Sequence, residues 1–450
     1  MKTVDMLVAE IGSTTTVVNA FDCIDTDAPI FIGQGQAATT TLAGDVTVGL
    51  YQAIACLEKS LGAELAWQEM VASSSAAGGL RMTVHGLVYE MTVKAAQEAA
   101  LGAGANIYWV TAGELSDADI DTIERTKPNI ILLAGGVDYG ERTIVIANAR
   151  RLSHLTWPIP IIYAGNTAVS DEVRNILATG GIPVTIIDNV YPRIDQLNIE
   201  PTRRAIHDVF EKHIVEAPGM QKLRELVTGS IIPTPGAVMQ AAQLLRESIG
   251  DLMVLDVGGA TTDVHSVAEA DPEIASILVG PEPFAKRTVE GDLGVYVNAD
   301  NVLALCDISK LCEQLGCTPQ ELITLRTPLP STDKENFFAG YLTNMAVQTA
   351  VNRHVGSIEY IYGPTGRLTV ARGKDLTGVK WIIGTGGALT RLPAGLDILT
   401  NINASSSSNL LLPRQGRVLI DRHYIMASAG MLARKYPRAA LSILQQSLSI

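Results

Sequence analysis

Two segments far apart in the chain share one plan, and that plan restricts the fold more than any other feature of the sequence. Leu7-Val8-Ala9-Glu10-Ile11-Gly12-Ser13-Thr14-Thr15 and Val254-Leu255-Asp256-Val257-Gly258-Gly259-Ala260-Thr261-Thr262-Asp263 each lead from an apolar strand through a carboxylate into glycine and hydroxyl residues. A second strand follows each turn, Val17 to Phe21 in the first case and Val264 to Val267 in the other. Glycine turns sharply and brings backbone N–H groups against phosphate oxygens with no Cβ in the way. Ser and Thr hydroxyls add donors, and a carboxylate at the strand end can hold Mg²⁺ through water, since hard cations take oxygen ligands. Two such hairpins can grip a triphosphate from both sides. Either loop alone is compatible with an ordinary β-turn. The second is the more specific, with Asp256 and Asp263 bracketing Gly258, Gly259, Thr261 and Thr262, and coincidence is a poor account of both together. No Gly-Lys-Ser/Thr stands at a strand-to-helix turn, so a P-loop is excluded.

A third segment, Trp381-Ile382-Ile383-Gly384-Thr385-Gly386-Gly387-Ala388-Leu389, is a strand running into a glycine-rich turn at the start of a helix. Gly384, Gly386 and Gly387 suit close backbone approach by a nucleoside and its α-phosphate.

The rest of the chain falls into three blocks. Residues 1–88 open with short strands and a helix over Gly44 to Leu61, whose Val48, Tyr51, Ile54, Ala55 and Leu57 follow helical spacing. Residues 89–227 alternate strand and helix: Asn106 to Thr111, a helix over Asp117 to Arg125 with Ser116 as N-cap, Asn129 to Ala134, a helix over Arg142 to Leu152, Ile159 to Ala164, a helix from Ser170, and Ile182 to Asp188. Repeated βα units of this length predict a parallel sheet, here an inserted α/β domain closed by helix over Pro201 to Val227. Residues 228–450 repeat the opening plan after a helix from Thr234-Pro235-Gly236. Ser405 to Ser408 form the one low-complexity stretch, and Ser73-Ser74-Ser75 with Gly78-Gly79 read as a loop without an assigned role.

Composition sets bounds on function. Of the 450 residues 47% are hydrophobic and 18% charged, enough apolar content for several buried cores. A net charge of −13 argues against nucleic-acid partners, which require a basic stripe. No apolar run reaches the roughly 20 residues of a membrane helix, no signal peptide is evident, and five scattered cysteines fit a reducing compartment, so the expectation is a soluble cytoplasmic protein. Cys306, Cys312 and Cys317 match no zinc or ferredoxin spacing and read as free thiols. Ala134-Gly135-Gly136-Val137-Asp138 follows a strong strand and reads either as a second ligand site at the carboxyl edge of the inserted sheet or as a plain glycine-rich connection.

The three loops, in this order, resemble the phosphate 1, phosphate 2 and adenosine motifs of the actin, Hsp70 and sugar-kinase ATPases. Thr288-Val289-Glu290-Gly291-Asp292-Leu293-Gly294 resembles the acidic Gly turn that follows the second phosphate hairpin in that superfamily, and Tyr424 to Leu432 resembles its closing small-residue helix. The resemblance implies α/β architecture: an actin-like ATPase with ribonuclease H-like duplicated halves around a nucleotide cleft, and an inserted parallel α/β domain. It implies ATP/ADP and Mg²⁺ as cofactors. Gly12, Ser13, Thr14, Thr15, Gly258, Gly259, Thr261, Thr262, Gly291, Gly384, Gly386 and Gly387 would contact nucleotide. Glu10, Asp256 and Asp263 would be catalytic, with Glu10 and Asp256 holding Mg²⁺ through water.

More narrowly, the Glu10–Thr16 opening, Leu133–Asp138, Asp256–Asp263 and the Gly384 loop resemble the glutamate mutase accessory family called MutL or GlmL, which is distinct from the mismatch-repair protein of that name. That resemblance implies an ATP-driven reactivating chaperone with adenosylcobalamin-dependent mutase subunits as partners. One departure is visible: the first loop of the superfamily usually opens with Asp, and here it is Glu10. The extra methylene shifts the carboxylate by about 1.5 Å, which water-mediated metal binding absorbs more readily than direct phosphoryl transfer. The expectation moves toward slow hydrolysis. The alternatives that stay open are a small-molecule kinase, a non-hydrolysing nucleotide-binding scaffold, and an activator of 2-hydroxyacyl-CoA dehydratases, whose iron–sulfur cysteines the Cys306–Cys317 group matches poorly.

Overall fold

The computed structural model describes the chain apart from residues 41–43, 76–79, 215–219, 221, 230, 364–365 and 403–407. Gly78, Gly79 and Ser405 to Ser407 therefore lie outside the described residues. Two compact units are present. One comprises Met1–Cys23 and Phe31–Ala237, the other Ile24–Ile30 and Val238–Ile450.

The first unit carries, in chain order, β1 (Lys2–Ile11), β2 (Thr15–Asp22), β3 (Ile30–Ala38), β4 (Leu65–Ser74), β5 (Leu80–Gly86), β6 (Ala105–Ala112), β7 (Ile130–Leu133), β8 (Ile161–Tyr163), β9 (Val184–Ile186) and β10 (Ile231–Pro233). Its first sheet has the order β3-β2-β1-β4-β10. β1 is antiparallel to β2 and parallel to β4, and β10 adds parallel to β4. The run Met6 to Ile11 is buried, as the central strand of a covered sheet requires. Asp45 caps the helix Val46–Leu61 by accepting from the Thr47 N–H, and Gly62 ends it in the left-handed conformation at φ 65°.

The second unit carries β11 (Leu252–Val257), β12 (Thr262–Val267), β13 (Ala285–Glu290), β14 (Ser357–Gly363), β15 (Gly366–Arg372), β16 (Trp381–Thr385) and β17 (Arg417–Ile420). Its main sheet has the order β13-β12-β11-β16-β17. β11 is antiparallel to β12 and parallel to β16, and β16 is parallel to β17. Counted from its own first strand, each main sheet reads 3-2-1-4-5, an antiparallel hairpin extended by parallel strands. This repeated topology is the ribonuclease H-like duplication of actin-like ATPases. The long helix Asp333–His354, opened by a Thr332/Glu335 capping box, packs on the second sheet with Phe338, Leu342, Ala346, Val347 and Val351 in the core.

Between β4 and β10 lies the predicted insertion, a fully parallel sheet of order β6-β5-β7-β8-β9. Ser116 and Asp119 form a capping box at the start of the helix Asp117–Thr126. The sheet begins at Leu80, ahead of residue 89, and β10 pairs with the first sheet although it lies beyond residue 228. β5 alternates apolar Leu80, Met82 and Val84 with polar Arg81, Thr83 and His85, a period-2 strand pattern that sequence reading leaves in the first block. β10 is only three residues long and runs straight into the helix Thr234–Ile249.

Candidate nucleotide site

The two hairpin turns close with the same hydrogen bond. Gly12 N–H donates to Thr15 O at 3.0 Å, and Gly258 N–H donates to Thr261 O at 2.9 Å. A Cβ on Gly12 would stand 2.6 Å from Thr15 O, so no other residue fits that turn. Glu10 is buried, paired in register with Val17, and placed at the end of β1 just before the turn. Ser13 and Thr14 are exposed, Thr15 is half-buried, and the Ser13 hydroxyl donates to Ser75 O at 3.0 Å.

In the second unit Asp256 and Asp263 are register partners across the β11–β12 hairpin. Asp263 is buried and accepts two hydrogen bonds on one oxygen, from Arg287 Nε at 3.0 Å and Nη2 at 2.6 Å. Thr261 Oγ1 donates to its other oxygen at 3.3 Å. Thr262 is fully buried and gives its hydroxyl to Leu293 O. The predicted nucleotide contacts thus divide: Gly258, Gly259 and Thr261 stay half-buried at the turn, whereas Thr262 ties it to the acidic turn behind. Gly294 makes this junction possible, because a Cβ there would lie 2.3 Å from Ala260 O. Asn298 Nδ2 donates to both Ala260 O and Gly291 O at 2.8 Å, and Gly291 itself is exposed with open space above it.

The acidic turn carries charge of its own. Arg353 Nη1 donates to Glu290 Oε2 at 2.6 Å and to Asp292 Oδ1 at 2.9 Å. Burial pushes the Glu290 carboxyl up; the Arg353 hydrogen bond opposes that, and the charges of Asp292 and Asp263 add to it. Asp292 is held low, first by its hydrogen bond to Arg353. Among the described residues no three carboxylate, imidazole or thiolate groups converge as a metal cage.

The glycine-rich turn after β16 lies against the same hairpin. Asp256 is in register with Thr385, and Gly386, at φ 83°, passes so close that a Cβ would stand 2.5 Å from Asp256 Oδ1. Gly384 is equally restricted, its Cβ position lying 2.5 Å from Leu399 Cδ1, while Gly387 has nothing within 4 Å. The second unit therefore brings Asp256, Asp263, Gly258, Gly259, Gly384, Gly386 and Gly387 to one sheet edge.

Sequence reading missed Asp421. It is fully buried and accepts from Thr385 Oγ1 at 2.9 Å, from the N–H groups of Ile425 and Met426 at 2.8 Å, and from Ser447 Oγ at 2.6 Å. Burial pushes its carboxyl up, against those four donors. The clue was its place just before the small-residue helix Met426–Ala433, whose first N–H groups need an acceptor.

In the insertion, the Gly135–Gly136 turn packs against Gly165, where a Cβ would meet Gly135 N at 2.3 Å. Asp138 Oδ1 accepts from Thr167 N–H at 3.0 Å and from Asn189 Nδ2 at 2.9 Å, so the polar groups of this edge bind one another. Cys306, Cys312 and Cys317 are half-buried free thiols packed against the second unit's core. Burial pushes the Cys306 thiol up to about 11, which disfavours its thiolate. No helix among the described residues is long and apolar enough to cross a membrane.

A family model described as MutL protein matches residues 6–448. The chain belongs to the MutL family. A curated relative, Protein MutL of Clostridium tetanomorphum, is 38% identical over 465 aligned residues, covering 98% of each chain. Among solved structures, acetone carboxylase in nucleotide-free form is similar with a TM-score of 0.41 and 13% identity, over 96% of this chain and 70% of that one. Diol dehydratase-reactivating factor in nucleotide-free form is similar with a TM-score of 0.35 and 11% identity, over 99% and 98%. The family match spans both hairpins, the inserted sheet and the Gly384 turn of this MutL family member.

Proposed function

We propose that this MutL family protein binds and hydrolyses ATP and acts as a reactivating factor for an adenosylcobalamin-dependent mutase. The observation that carries the nucleotide reading is the duplicated turn: glycine N–H to the carbonyl three residues on, at the end of a carboxylate-bearing strand, in both units. Backbone amides of Gly258 and Gly259 would take phosphate oxygens in the second unit, with Thr261 beside them. Gly12, Ser13, Thr14 and Thr15 offer the equivalent donors in the first. Gly384, Gly386 and Gly387 would face the adenosine, and Gly291 would stay open beside the acidic turn.

Glu10 and Asp256 are the Mg²⁺-directed carboxylates of this reading. A cation held through one or two carboxylates, waters and phosphates fits single carboxylates placed at strand ends beside glycine turns. When bound, Mg²⁺ supplies charge neutralisation at the phosphates. Glu10 and Asp256 would orient the attacking water, and Asp263, fixed by Arg287, would hold the hairpin in shape. Catalysis of this type is positioning and charge stabilisation. The mutase as target rests on the family resemblance, and the inserted sheet is the proposed partner surface.

The deciding measurement is ATP hydrolysis with and without an inactivated cobalamin mutase, while release of the damaged cofactor is followed. Stimulated hydrolysis with cofactor release is expected, and Asp256→Asn should lower turnover by about 10²-fold while ATP still binds. Absence of both stimulation and release would overturn the reactivase reading. ADP formation that requires a small-molecule acceptor would point to a kinase instead.

A further inference from the structure

At the opposite end of β16 from the Gly384–Gly387 turn, a cavity of about 470 Å³ is lined by Thr377, Val379, Lys380, Trp381, Arg414, Gln415 and Arg417, with Gly378. Two chain segments build it. Arg417 N–H donates to Lys380 O at 2.8 Å and Arg414 N–H to Thr377 O at 3.4 Å, while Trp381 and Arg417 are register partners in the sheet. Trp381 is anchored as a wall by its Nε1–H bond to Ile249 O at 2.8 Å, and the Arg417 guanidinium lies 5.8 Å from its ring centroid. Gly416 allows the second segment to approach, since a Cβ there would meet Ile382 Cδ1 at 2.8 Å.

Three of the eight lining residues are cations, and none is acidic. Among the described residues neither Lys380, Arg414 nor Arg417 is paired with a carboxylate, although the chain as a whole carries a net charge of −13. All three are exposed, and cations gathered in a concave site without carboxylates in its lining add their positive potentials there. The volume falls in the range of small-molecule pockets, and arginine forks match the oxygens of carboxylate and phosphate in pairs.

We propose that this cavity is a second ligand site, for a small multiply charged oxyanion bearing phosphate or carboxylate groups. Arg414 and Arg417 grip the charged oxygens, Lys380 adds a point charge, and Gln415 contributes an amide. The site uses the amino-terminal end of β16 and stands independently of the nucleotide reading.

Titration of the full-length protein with inorganic pyrophosphate at low ionic strength tests this, followed by tryptophan fluorescence, because Trp381 forms the wall. A saturable change is expected that disappears in Trp381→Phe. Its apparent Kd should rise at least tenfold in Arg414→Ala/Arg417→Ala, roughly 1.4 kcal/mol, and less in Arg414→Lys/Arg417→Lys, which keeps the charge and loses the fork. Citrate should compete for the same signal. No saturable change, or a Kd equal in the parent and in the alanine variant with unaltered melting temperature, would overturn the proposal.

Discussion

The backbone of Gly386 lies so close to the Asp256 carboxylate that a single added methyl carbon would stand 2.5 Å from Oδ1 and 2.6 Å from Val257 O. Two loops distant in sequence are thereby locked together, and the residue at the contact has φ 83°. Gly386→Ala is therefore expected to lose about 1–3 kcal/mol of stability through backbone strain alone and to weaken ATP binding. Gly387→Ala, with no protein atom within 4 Å of the added carbon, should leave stability unchanged. Thermal unfolding and ATP titration of the pair provide the check; equal behaviour would mean that the close approach is unimportant.

The Asp263–Arg287 pair predicts a stability effect. Both side chains are buried, and the guanidinium gives two hydrogen bonds to one carboxylate oxygen. Arg287→Ala leaves a buried carboxylate without its counter-charge, which costs about 3–5 kcal/mol. Urea unfolding should show the loss in the second unit's transition. A change below about 1 kcal/mol would place the charge in solvent.

Asp421→Ala should destabilise comparably and reach the nucleotide turn. Four donors, from Thr385, Ile425, Met426 and Ser447, lose their acceptor together. Each buried orphan costs about 1–3 kcal/mol. Increased proteolysis near Gly384–Leu392 and weaker ATP binding are the expected signs, and wild-type affinity in a folded variant would count against the anchoring role.

Acid sensitivity follows from His85. Its ring is enclosed between the Thr83 and Thr111 hydroxyls at 2.9 and 2.8 Å, and burial lowers its pKa from 6.5 to about 4. The folded state keeps the imidazole neutral while the unfolded chain takes up a proton. The associated stability is fully present above pH 6.5, declines as the pH falls, and levels off below about 4. The whole span corresponds to roughly 3 kcal/mol. Denaturant midpoints across that window should show a shallower slope for His85→Gln than for the parent; parallel curves would refute the assignment.

Much of this architecture is legible from residue order. The hairpins at Gly12 and Gly258, the strand into Gly384, the Ser116 cap and the βα rhythm of the insertion all depend on neighbouring residues, and each is where the pattern puts it. Sequence reading leaves out β4, β5, β14 and β15 as well as the short β10, and it reads Ser73 and Ser74, the buried end of β4, as a loop. β5 buries Thr83 and His85, and β10 is a three-residue strand that ends in proline. Asp421 and Arg287 were invisible for a related reason. A buried charge looks like a surface charge until its partners are known, and Asp263 and Ser447 lie 24 and 26 residues from Arg287 and Asp421.

Residue order therefore specified the turn chemistry, the parallel insertion and the membership of an ATPase-like fold, because glycine, hydroxyl and carboxylate groups act on the backbone beside them. Tertiary structure alone decided that each main sheet is ordered 3-2-1-4-5, that Gly386 closes on Asp256, that Thr262 is spent on Leu293, and that three cations share a cavity at the far end of β16. Those outcomes depend on which strands pair and in what register, and strand pairing is set by burial summed over segments that no local window contains.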